Sequence, residues 1–244
     1  METHSCNDLL EAAREGHDEC IKKLIVAGAD LNVTDELGRT PMHYAISGGH
    51  DACVKQLIEA GADVNAVNAY DHTPLHFAAW NGRDTLCKML VAAGANPNVG
   101  NFDGQTPLHQ AVCGGYVTAC KTLIIEGGNP DVVNVAGETP LQVAVKYAVN
   151  YADIYGYDKK CVDVLVECIL SKRALTDDEW DLVPPDSDIG YLLPAVMTRD
   201  GRDAAAKLVS RLSKKKQKAL ETATLGLSRF VSRDVAEQIL VHCV

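Results

Sequence analysis

Long hydrophobic runs are missing from this chain. No window of about 18 residues is continuously apolar, the length a helix needs to cross a bilayer, so no membrane span is predicted. The start, METHSCNDLLEAA, has neither a basic flank nor an apolar centre, and no secretory leader is expected. Catalytic signatures are absent too: there is no G-x-S-x-G, no H-E-x-x-H, and no Walker or dinucleotide loop. Aromatic residues make up only 5%, so the position of each one is informative. The nine cysteines form no C-x-x-C pair and their number is odd. That argues against a secreted disulfide scaffold and for a reducing compartment, cytoplasmic or nuclear, with Cys used as a small apolar residue.

What is present is apolar enough to fold, at 47% of 244 residues. Charge is unevenly shared. Residues 1–171 hold 11 Lys and Arg against 22 Asp and Glu, whereas residues 172–244 hold 12 against 11. The acidic part disfavours nucleic acid as a partner, because phosphates would be repelled and no counterions released.

One phrase recurs. TPMHYAISGG starts at Thr40, TPLHFAAWNG at Thr73, TPLHQAVCGG at Thr106 and TPLQVAV at Thr139, each 33 residues after the last. A fixed period of this size implies stacked copies of one supersecondary unit. Thr-Pro opens a helix, since the hydroxyl can cap free N–H groups and Pro suits the first helical position. Small residues follow (Ala45, Ala78, Ala111, Ala144), and then Gly49, Gly82 and Gly115 at a turn. A second helix, with apolar spacing such as Cys53, Val54, Leu57 and Ile58, ends at AGAD or AGAN, where Gly supplies a left-handed residue. Cys20 and Cys53 hold one position of that helix, Cys87 and Cys120 the next, and core packing explains all four.

These residues resemble the ankyrin repeat family, which has the same period and a T-P-L-H-x-A signature. The resemblance implies an all-α helical solenoid with short hairpin loops. It implies five repeats over residues 1–171, at about 7–39, 40–72, 73–105, 106–138 and 139–171, the last with an insertion. Members are usually non-catalytic and bind proteins through loop tips and the first-helix surface. In repeat one, Asn7-Asp8 replaces Thr-Pro, and Glu11, Arg14 and Glu15 suit a capping unit. Gln142 stands where the signature His is expected, and Asp71 replaces the loop glycine kept at Gly38, Gly104 and Gly137, so that loop is expected to be altered. The insertion places Tyr147, Tyr151 and Tyr155 four residues apart, on one face of a lengthened helix.

Residues 172–188 read as an acidic connecting loop stopped by Pro184-Pro185. DGRDAAAKLVSRLS, from Asp200, echoes NGRDTLCKMLVAAG, so residues 189–244 read as a degenerate sixth repeat followed by capping helices. The run Lys214–Lys216 with Lys218 reads as a solvated helix face.

No catalytic residue, cofactor, metal or small-molecule substrate is expected. His43, His76 and His109 recur because the repeat recurs, and their spacing to Cys fits no zinc ligand set. Asn32 and Asn65 match the loop pattern of ankyrin proteins whose Asn is hydroxylated by an oxygenase; the plainer reading is that they satisfy loop backbone groups. The expected partner is a protein, and the chain is expected to be monomeric. If recognition is the function, residues that vary between repeats carry it. The predicted partner-binding set is Glu36, Leu37, Arg39, Tyr70, His72, Trp80, Asn81, Phe102, Asp103, Gln105, Glu138, Tyr147 and Tyr151. Two alternatives are an adaptor whose C-terminal helices recruit a second machine, such as a ubiquitin ligase or host complex, and an enzyme with an unrecognised C-terminal domain.

Overall fold

Wherever the sequence writes Thr-Pro, a helix begins. A computed structural model describes residues 8–155, 160–173, 175–183 and 207, with the backbone alone at 149–155, 171 and 172. The chain is all-α: eleven helices and no strand occur among the described residues. They divide into two compact units after Val143.

In the first unit the helices come in pairs: α1 (Leu9–Glu15) with α2 (Asp18–Val26), α3 (Pro41–Gly48) with α4 (Asp51–Glu59), α5 (Pro74–Trp80) with α6 (Asp84–Ala92), and α7 (Pro107–Cys113) with α8 (Val117–Ile125). First helices pack on first helices, α1 on α3, α3 on α5 and α5 on α7, while α2, α4, α6 and α8 form a parallel row. Ala13, Ala45, Ala78 and Ala111 are fully buried at those crossings, where only a small side chain lets two backbones approach. Ile21, Leu57, Leu90 and Leu123 fill the space between the two rows. Burying a Leu or Ile contributes roughly 1.5–3 kcal/mol each, so the repeated apolar positions dominate the stability of the stack.

The loop that was expected to change keeps its shape. Gly38, Gly104 and Gly137 have φ of 71°, 68° and 75°, and Asp71 takes the same left-handed conformation with φ 58°. Asp tolerates this region better than most residues with a Cβ, at some energetic cost. The repeat's backbone bonds are therefore strong enough to impose the conformation on Asp71.

Cys20 needs a second correction: it is disulfide-bonded. Its equivalent Cys53 donates its S–H back to Asp18 of the preceding repeat at 2.9 Å. Packing alone therefore does not account for Cys20.

Helix α9 (Pro140–Tyr155) has 16 residues against 7 or 8 in the earlier first helices. In the second unit, α10 (Lys160–Lys172) buries Cys161, Val162, Leu165 and Ile169. The segment read as an acidic loop is helical at α11 (Asp177–Leu182). Thr176-Asp-Asp-Glu179 is a capping box: the Glu179 N–H donates to Thr176 Oγ1 at 3.2 Å and the Thr176 N–H to Glu179 Oε2 at 2.8 Å. Its acids occupy the first turn, where the helix dipole favours negative charge, and Trp180 is buried behind them. Arg173 grips Glu179 with two bonds of 2.9 and 2.7 Å, which hold that carboxyl below the usual range. The expected sixth repeat, the capping helices and the lysine run lie outside the described residues, apart from Lys207.

Candidate binding face

Each loop is pinned by one side chain that the sequence reading passed over. Asp35 Oδ1 accepts the N–H groups of Leu37 and Arg39 at 2.9 and 2.8 Å. Asn68 does the same for Tyr70 and His72 at 2.9 and 3.0 Å, and Asn101 for Asp103 and Gln105 at 3.0 and 2.8 Å. Asn134 repeats the pattern with Ala136 and Glu138 at 3.0 and 2.9 Å. An Asx side chain bonding its own backbone two and four residues on makes a tight, preset turn. Asp35, Asn68, Asn101 and Asn134 are 33 residues apart, which is the signal that would have found them.

The turns are then tied tip to tip. Ala69 N–H donates to Leu37 O at 2.8 Å, Phe102 N–H to Tyr70 O at 3.1 Å, and Val135 N–H to Asp103 O at 2.9 Å. Leu37, Tyr70, Phe102 and Val135, one from each of four successive loops, are 41%, 57%, 76% and 75% exposed. On the first helices Trp80 is 54% exposed, and Asn81 beside it donates its Nδ2–H to Phe77 O at 2.9 Å. Tyr116, absent from the predicted set, lies close by: Gly114 separates its ring from the Trp80 carbonyl.

Other predicted residues brace the loops. Arg39 is bonded to Asp35 at 2.8 Å and lies 4.6 Å over the ring of Tyr44. Burial of Asp35 works against its charge, but bonds from Arg39, Tyr44 and Leu37 bring its pKa down to about 2. His72 is half-buried, accepts the Asn101 Nδ2–H at 2.8 Å, and meets Phe77 edge-on with 6.0 Å between ring centroids. Gln105 Oε1 accepts from Gln110 at 2.7 Å, and Glu138 Oε2 from Asn134 at 3.3 Å. Glu36 and Asp103 are exposed. Tyr147, in the second unit, is half-buried, and the side chain of Tyr151 lies outside the described residues.

The signature histidines hold the stack from within. His43 Nδ1 accepts the Thr40 N–H at 3.1 Å, and its Nε2 lies 3.0 Å from His72 O in the loop that closes the same repeat. His76 links Thr73 to Gln105 O, and His109 links Thr106 to Glu138 O, at 2.9 and 3.1 Å on the carbonyl side. This pattern requires the neutral Nε2–H tautomer. Burial lowers the pKa of His43 and His76 to about 4, and lowers that of His109. Gln142 does half of the work: its Oε1 accepts the Thr139 N–H at 2.8 Å.

On the far edge, Asn32 and Asn65 join neighbouring turns. Asn32 Oδ1 accepts the Asp63 N–H at 2.9 Å, while Asn65 accepts from Asn96 at 3.0 Å and donates to Gly94 O at 3.0 Å. Both side chains thus satisfy loop backbone, whatever modification they carry. Burial pushes the thiols of Cys53 and Cys87 up to about 12, which keeps them protonated and unreactive. Among the described residues no group of three or more His, Cys, Asp or Glu is placed to hold a metal ion, and no helix is long and apolar enough to cross a membrane.

A family model described as ankyrin repeats (3 copies) matches residues 9–101 and again residues 84–175. No curated protein matches the chain.

Proposed function

The chain belongs to the ankyrin repeat family, and on that premise we propose that it is a non-catalytic module holding a protein partner on its loop-tip and first-helix face. Repeats of this family are generally protein–protein interaction modules. One observation carries the placement: Leu37, Tyr70, Phe102 and Val135 stand exposed on four successive loops that are bonded to one another. A folded stack gains nothing from large apolar side chains held repeatedly in water, whereas an interface does. Trp80 and Tyr116 extend the same character onto the first-helix side, and aromatic anchors commonly dominate interface energetics. Arg39, His72, Gln105 and Glu138 act behind this surface, fixing the loops that present it.

The experiment is affinity purification from source-cell lysate, with bound proteins identified by mass spectrometry. Wild type is compared with a Tyr70→Ala/Trp80→Ala/Phe102→Ala variant of unchanged circular dichroism. The expected result is a partner present with wild type and missing from the variant. A partner retained equally by both would move the function off this face.

A further inference from the structure

The apolar row also carries charge. Glu36 is next to Leu37, Asp71 next to Tyr70 and Asp103 next to Phe102, and all three carboxylates are exposed. Each loop tip from the first to the third thus pairs one large apolar side chain with one acid. Asp71 holds its place although its left-handed backbone, φ 58°, would favour glycine.

The one arginine of the loop tips, Arg39, is committed to Asp35, and Arg14 of α1 is bonded to Glu11 and Glu15. Among the described residues no ion pair holds Glu36, Asp71 or Asp103. His72, the titratable group facing Asp71 and Asp103, accepts a hydrogen bond through Nε2 and is neutral in that role. The first three loop tips therefore each present one apolar and one anionic group, the acids at three adjacent positions of the turn, and their one arginine is committed.

Resting on the reading above, we propose that the occupant is an extended peptide segment in which Lys or Arg alternates with large apolar residues. Complementary charge steers such a segment to the face and disfavours acidic or phosphorylated ones. A second copy of this chain would bring the same carboxylates and be repelled. Packed helices lie about 8–10 Å apart, so neighbouring tips are separated by about three residues of extended chain at about 3.3 Å each. The segment sets one apolar residue on each tip, about every third position, with its cations between them.

The test pans the immobilised full chain against a phage-displayed library of random 12-residue peptides. Selected peptides are then titrated against three variants. One is Glu36→Gln/Asp71→Asn/Asp103→Asn, in which Asn tolerates the left-handed backbone at position 71. The second, Glu19→Gln/Glu59→Gln/Glu126→Gln, removes the same charge from α2, α4 and the C-terminal cap of α8. The third is Tyr70→Ala/Phe102→Ala. The proposal expects cationic peptides with spaced apolar residues, an affinity about 10-fold lower for the first variant at low salt, and little change for the second. High salt should close that gap. Neutral or acidic peptides that still depend on Tyr70 and Phe102 would overturn the charge inference and leave the binding face standing. Peptides indifferent to Tyr70 and Phe102 would overturn both. No enriched peptide, or a chain that sediments as a dimer through this face, would overturn the peptide occupant.

Discussion

The N–H of Phe102 donates to the carbonyl of Tyr70 across 3.1 Å, so one backbone bond couples the two most exposed aromatic side chains among the described residues. Side chain and backbone therefore do separable things at position 102. Phe102→Ala is expected to leave stability within about 0.5 kcal/mol of wild type, as for exposed positions generally. Phe102→Pro removes the donor and is expected to cost about 1–3 kcal/mol by stranding the Tyr70 carbonyl and distorting the tip. Urea denaturation of the two variants checks the split.

Asp71→Gly is expected to stabilise the protein by up to about 1 kcal/mol, because the left-handed backbone no longer carries a Cβ. Asp71→Val is expected to destabilise by more than that, since a β-branched residue fits the conformation worst. Thermal melts would show opposite shifts, and a fall for Asp71→Gly would mean that the carboxylate contributes to folding.

Asn65 makes two side-chain bonds to the following repeat and Asn32 makes one. Asn65→Ala is therefore expected to cost about 1–2 kcal/mol and Asn32→Ala about half as much. Equilibrium denaturation gives the order; the reverse order would contradict the bonding described here.

Acid should loosen the stack in a definite window. His43 and His76 titrate near 4 when folded, against about 6.5 unfolded. The fold binds the neutral ring, so unfolding takes up protons as pH falls. Their stabilisation is complete above about pH 6.5 and is lost progressively toward pH 4. His76→Gln keeps the kind of cap seen at Gln142 but abandons the Gln105 carbonyl. It is expected to be about 1–2 kcal/mol less stable at pH 7.5 and to melt with a weaker dependence on pH between 6.5 and 4.

Cys53 and Cys87 should resist alkylation by iodoacetamide at neutral pH until the protein unfolds, since burial and neighbouring carboxylates raise both thiols to about 12. Mass spectrometry of tryptic peptides with and without urea measures this. Labelling of Cys87 in the folded protein would mean that α6 opens locally.

The period of the Thr-Pro phrase made the fold legible, because stacking demands the same apolar residue at the same place in each unit. Tyr70, Trp80 and Phe102 were legible for the opposite reason: they depart from that pattern. Asp35, Asn68, Asn101 and Asn134 were equally periodic yet passed over, since Asp and Asn are ordinary loop residues until their bonds to two N–H groups are seen. Asp71 misled because a missing glycine suggests a different turn, whereas the surrounding ladder overrides the local preference. At α11 the run of acids masked a capping box, and Trp180 was the apolar clue that a helix there had something to bury.

The links along the stack also run through time. His76 waits for the carbonyl of Gln105, Tyr70 for the N–H of Phe102, and Asn65 for the N–H of Asn96, each about 30 residues further along. A chain made from its N-terminus therefore always has one unfinished junction, at its growing end, where a buried ring and a row of loop groups have no partner. Each new repeat closes the junction before it and opens another. A pause in synthesis, or a truncation, within this array exposes the same half-made surface wherever it falls.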